Sequence, residues 1–155
     1  MSVQGERGIE SLQVWHKAMD FAVLICKQLL PTLPPEEKYA LTDQIRRSVQ
    51  SIPANIAEGF GRYYYQEGVR YSYIARGSLV EVYNHLCFAQ RMGYIPEIKL
   101  KQYKDMIYEL NRMLSGYISF LKQSKRGATG FGNSVHEPFV NYEVNIEEIL
   151  ESGNS

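Results

Sequence analysis

Apolar positions along the chain fall into four stretches with helical spacing. In the first, Leu12, Trp15, Met19, Ala22, Cys26 and Leu29 step by alternating threes and fours, the seam of an antiparallel bundle. The last repeats the rule more strongly, through Leu100, Tyr103, Ile107, Leu110, Leu114, Tyr117 and Leu121. Between them, a second helix is predicted from Pro35 to Gly59 with Leu41, Ile45, Val49, Ile52 and Ile56 inward. A third is predicted from Gln66 to Met92 with Ala75, Leu79, Val82, Leu86 and Ala89 inward. Pro53 lies inside the second helix, where the lost hydrogen bond to the Val49 carbonyl predicts a kink. Gly93 ends the third helix as a left-handed cap, and Pro96 with Glu97 opens the fourth. No stretch alternates strictly between hairpin turns, so strands are not expected. Short connections make neighbouring helices antiparallel. The predicted fold is all-α, an up-down-up-down four-helix bundle.

Helices one and four carry more apolar surface than one seam requires. Val14, Ala18, Phe21 and Ile25 form a second face on the first, and Met106, Met113 and Phe120 on the last. In a lone bundle such a surplus would be exposed, which predicts a homo-oligomer.

Composition changes this picture in one respect. Of 155 residues, 45% are hydrophobic and 22% charged, and the formal net charge is zero. Residues 1–126 hold all 17 Lys and Arg against 12 acidic residues, net +5, whereas residues 127–155 hold five Glu and no Lys or Arg, net −5. The expected organisation is therefore a bundle over 1–126 and an acidic tail over 127–155 that begins in a Gly-rich linker. A basic body raises the question of a polyanion partner. The longest apolar run, Phe21 to Cys26, is too short to span a bilayer, and the N-terminus has no secretory pattern. A cytoplasmic address without membrane contact is expected. Cys26 and Cys87 read as small core hydrophobes.

The most distinctive segments are Ser51-Ile-Pro-Ala-Asn-Ile-Ala-Glu-Gly-Phe-Gly-Arg62 and Ile74-Ala-Arg-Gly-Ser-Leu-Val-Glu81. With Leu12-Gln-Val-Trp-His-Lys17 and Leu41-Thr-Asp-Gln-Ile-Arg-Arg47, they resemble the bacterial four-helix-bundle family encoded in 23S rRNA intervening sequences, over residues 8–124. The resemblance implies assembly into a ring, a pentamer. Related proteins accompany the reverse transcriptase of diversity-generating retroelements, which implies RNA, DNA or a polymerase as partner.

Read from the residues, Asn55, Glu58, Arg76 and Glu81 are expected to form a buried or half-buried polar cluster that fixes helix register, because charge beside inward positions persists only when paired. Glu58 and Glu81 as a catalytic pair would need a cleft that a tight bundle seldom supplies. Arg46, Arg47, Arg62, Arg70, Lys101, Lys104 and Arg112 are candidates for phosphate contact. Tyr63, Tyr64, Tyr65, Tyr71 and Tyr73 interleave with Arg62 and Arg70, an arrangement that could stack bases but is expected first to pack at a helix junction or subunit interface. His16, His85 and His136 lack metal-ligand spacing, and no phosphate loop or activated nucleophile is recognisable. No catalytic residue, cofactor or metal is expected. The function predicted is a non-catalytic oligomeric scaffold that binds nucleic acid or a nucleic-acid enzyme; the alternative is an interaction module without polyanion affinity.

Overall fold

The computed structural model describes residues 8–125, and the expected 127–155 tail lies outside them. Four helices form an antiparallel bundle: α1 (Gln13–Leu24), α2 (Leu41–Phe60), α3 (Tyr65–Arg91) and α4 (Glu97–Ser124). Helix α1 continues into a π-helical turn, Ile25–Leu29, and a 3-10 turn, Leu30–Thr32. Helix α2 packs on α3, α3 on α4, and α1 closes the bundle against α2 and α4. No strand forms among the described residues.

The inward stripes of α2 and α3 lie where the spacing puts them. Ile45, Val49, Ile52, Ile56, Ala75, Leu79, Val82, Leu86 and Ala89 are wholly buried. Gly93 has φ +76, and the Tyr94 N–H donates to the Ala89 carbonyl (2.9 Å) across it, which closes the end of α3.

Two expectations about helix placement are corrected. Helix α2 begins at Leu41 rather than Pro35, because Pro35–Glu37 forms a separate 3-10 turn and Ala40 leaves the helical region. The Glu37 carboxylate then accepts from the Leu41 N–H (3.2 Å), supplying an acceptor to a helix start whose N–H groups lack internal partners. Tyr94 donates to the other Glu37 oxygen (3.0 Å), tying the α3–α4 turn to the start of α2. That bond raises the Tyr94 pKa above its ordinary value.

The second correction concerns α1. Its core side is led by Val14, Ala18, Phe21 and Ile25, the face predicted to be surplus. Of the predicted seam, Ala22 and Leu29 are buried as expected, but Leu12, Trp15 and Cys26 are half-buried and Met19 is exposed. The two stripes lie one residue apart, about 100° around the helix, and both are apolar. Periodicity cannot choose between them. Half-burial leaves room for a solvent partner to the Trp15 indole N–H, which a dry core would deny. On α4, Met106 and Met113 are half-buried against the core, and only Phe120 of that predicted second face stands exposed.

Helix α2 runs through Pro53 without interruption, and Pro53 is buried. Near its end, a Cβ on Gly59 would lie 2.8 Å from the Tyr71 Cβ and 3.2 Å from the Gly68 Cα. Glycine at 59 is therefore what lets α2 and α3 approach to backbone contact.

Candidate functional site

Placing the seam's Trp15, Met19 and Cys26 outward creates an apolar groove on the described bundle. Trp15, Met19, Ala22, Val23 and Cys26 from α1 and the turn after it face Pro53, Ala54 and Ala57 of α2 across a groove of about 550 Å³. The small side chains on α2 leave the space that larger ones would fill. Lys27, Arg46 and Gln50 close one end. Among the described residues neither Lys27 nor Arg46 has an acidic partner.

A second cavity, about 370 Å³, lies at the bundle end where α1 and α3 begin and α2 and α4 finish. Phe60, Tyr63, Tyr64, Tyr65, Tyr117 and Phe120 line it with Leu12 and Arg62. Tyr63 is 61% exposed and meets Tyr64 edge to face. Arg62 spends its guanidinium within the chain. It donates to Glu58 (2.6 Å), lies 3.9 Å from Glu67, and sits over the Tyr71 ring (5.5 Å). The hydrogen bond to Glu58, then the Tyr71 hydroxyl, raises the Arg62 pKa. Tyr73 is likewise engaged, with Arg76 over its ring (4.9 Å) and Lys122 donating to its hydroxyl (3.0 Å). Tyr71 and Tyr73 thus take the packing role.

The predicted phosphate contacts do not gather on one surface. Arg46 and Arg47 lie in the first half of α2, and Arg47 pairs with Asp43 (3.0 Å). Lys101 and Lys104 occupy the start of α4, at the same end of the bundle, in a cavity of about 610 Å³ shared with Glu97, Asp105, Tyr83 and Tyr108. Arg62 and Arg70 lie at the opposite end, and Arg112 is exposed midway along α4. Five cations are thus spread over α2 and α4, and the acids beside several of them offset their field.

The expected polar cluster is also divided. Asn55 is half-buried and donates to the Ser51 carbonyl of its own helix (2.7 Å). Arg76 is half-buried over Tyr73. Glu58 and Glu81 are exposed, correcting the expectation of burial: Glu58 holds Arg62, and Glu81 stands 3.4 Å from His85 Nε2. Asn55, Glu58 and Glu81 each meet a polar partner one helical turn away on their own helix or its end.

What sequence reading missed was the groove. The signal was present as two apolar stripes on α1 and as Pro53, Ala54 and Ala57, small or ring-shaped residues at helical spacing on α2. Their meaning depended on which α1 stripe turned inward.

An antiparallel four-helix bundle with an open apolar groove and dispersed, partly paired cations is the class of protein defined here. Residues 10–116 match the model of the 23S rRNA-intervening sequence protein family, and the chain belongs to that family. It is similar to a protein of unknown function from the S23 ribosomal protein family of Bacteroides thetaiotaomicron VPI-5482. That crystal structure shares 28% identity at a TM-score of 0.62, over 68% of this chain and 97% of the other. No curated protein matches the chain. Among the described residues no group of side chains could hold a metal ion, and no helix is long and apolar enough to cross a membrane.

Proposed function

We propose that this protein is a non-catalytic, self-associating scaffold of the cytoplasm that acts by docking polypeptide on apolar surface. The observation that carries this reading is the α1–α2 groove, about 550 Å³ and lined almost throughout by apolar side chains. Apolar surface of this kind on a water-facing bundle marks an interaction site. Beyond the groove, Phe88 on α3, Met92 just after it and Ile98 on α4 are half or more exposed around the α3–α4 turn, a second patch suited to another copy of the chain. Five subunits, as the family resemblance implies, is the assembly we assign. The dispersal of Arg46, Arg47, Arg62, Arg70, Lys101, Lys104 and Arg112 supports protein docking over a polyanion track.

Light scattering at micromolar concentration tests the self-association. The full chain should elute as an oligomer, and Ile98→Glu with Phe88→Glu should reduce it to monomer with helicity unchanged. A monomeric wild type would overturn this part of the reading.

One observation favours a second reading, in which the bundle end takes single-stranded RNA or DNA. Tyr63 is largely exposed beside Arg62 and an aromatic cavity, the parts of a base-stacking platform. Fluorescence anisotropy with a single-stranded RNA at several salt concentrations separates the two. Docking without polyanion affinity predicts no binding at low salt, whereas stacking predicts an affinity that falls steeply with salt and is lost in Tyr63→Ala.

A further inference from the structure

We infer that the α1–α2 groove is covered by the chain's own acidic C-terminal segment, residues 139–151. The inference rests on the reading of the groove as a docking surface and names its occupant. Three features of the molecule converge on it.

The first is position. Ser124, at the end of α4, lines the same cavity as Leu12 and Gly59, and these two lie within a helical turn of Trp15 and Ala57 at one mouth of the groove, so the chain leaves the bundle at the groove's end of the molecule. The fourteen residues 126–139 span up to about 46 Å, far more than that step requires.

The second is pattern and length. Val140, Tyr142, Val144 and Ile146 alternate with Asn141, Glu143 and Asn145. In an extended chain the four apolar side chains share one face over about 20 Å. The groove runs along α1 from Trp15 to Lys27, a rise of about 18 Å. An apolar face of that length fits a groove floored by Met19, Cys26, Ala54 and Ala57, with the polar face and backbone turned to water.

The third is charge. Laid from the Trp15 mouth onward, the segment brings Glu147, Glu148 and Glu151 to the far end, where Lys27 and Arg46 have no acidic partner among the described residues. Residues 127–155 carry five Glu and no Lys or Arg, so the complementarity has one sign throughout. Burial of apolar area supplies the affinity and the charges set the direction.

Trp15 is the only tryptophan in the chain and lines the groove, so its fluorescence reports the occupant directly. In the full chain, V144D/I146D should shift Trp15 emission to the red and raise its quenching by acrylamide. A54E, at an exposed groove position, and K27E/R46E should do the same. A peptide of residues 137–151 added to V144D/I146D should reverse both changes. Hydrogen exchange of 139–151 should be slowed at least about tenfold in the wild type and lose that protection in A54E. Identical Trp15 emission and quenching in wild type and V144D/I146D would overturn the inference. If quenching then falls with rising protein concentration, a second copy covers the groove and only the named occupant is wrong. If Trp15 is equally accessible at every concentration, the docking reading fails with it.

Discussion

Against α3, helix α2 closes to backbone contact at Gly59 and Gly68, and Ile52, Ile56 and Leu79 beside it are wholly buried. Against α1, the same helix presents Gln50, Pro53, Ala54 and Ala57 to a groove of about 550 Å³. The α2–α3 side has exhausted its apolar surface within the chain, and the α1–α2 side has not. Interiors packed to near-crystalline density tolerate little change, whereas a half-open face has solvent or a partner to accommodate it. Close packing and open apolar surface thus lie on different sides of one helix.

The largest test of that contrast is Ile56→Ala. It removes a wholly buried side chain on the closed side and should cost about 2–5 kcal/mol by urea unfolding. Gly59→Ala should cost less, about 1–3 kcal/mol, because its methyl must push the α2–α3 contact apart. A neutral result at either position would mean the closed side is looser than its geometry.

A smaller effect should appear at high pH. Burial, then the Cys87 thiol as hydrogen-bond partner, pushes the Tyr83 pKa up to about 12. The unfolded chain loses that proton near 10, so between pH 10 and 12 the folded state holds more protons and stability falls as pH rises. Burial raises Tyr103 and Tyr117 in the same direction. Tyr83→Phe should flatten part of the decline in thermal scans across that range; an unchanged slope would remove Tyr83 as its source.

The smallest change is expected at Met19→Ala on the open side, within about 0.5 kcal/mol, because Met19 is 37% exposed. A loss as large as that at Ile56 would show that the groove face is part of the folding core.

Much of this architecture was legible beforehand for an identifiable reason. Helices α2 and α3 each carry one apolar stripe against a polar remainder, so burial has a single solution and Leu41, Ile45, Leu79 and Leu86 turned inward as their spacing requires. Helix α1 carries two stripes, and its inward face depends on the shape offered by α2 and α4. The start of α2 shifted because Glu37 supplies an acceptor at Leu41, an interaction invisible to periodicity. The candidate site was less legible. Arg47, Arg62 and Glu58 each had a local partner four or five residues away, and local pairing dissolved the clusters that sequence proximity suggested.

The sequence alone determined the number and type of helices, their antiparallel order and the polarity of the chain, body basic and tail acidic. Those properties follow from periodicity, turn residues and counts of charge, which act locally or add regardless of arrangement. Tertiary structure alone decided which face of α1 entered the core, and with it that Trp15, Met19 and Cys26 would line a groove instead of filling a seam. Two equally apolar stripes differ little in transfer free energy, so the choice falls to packing against neighbours that no local pattern encodes.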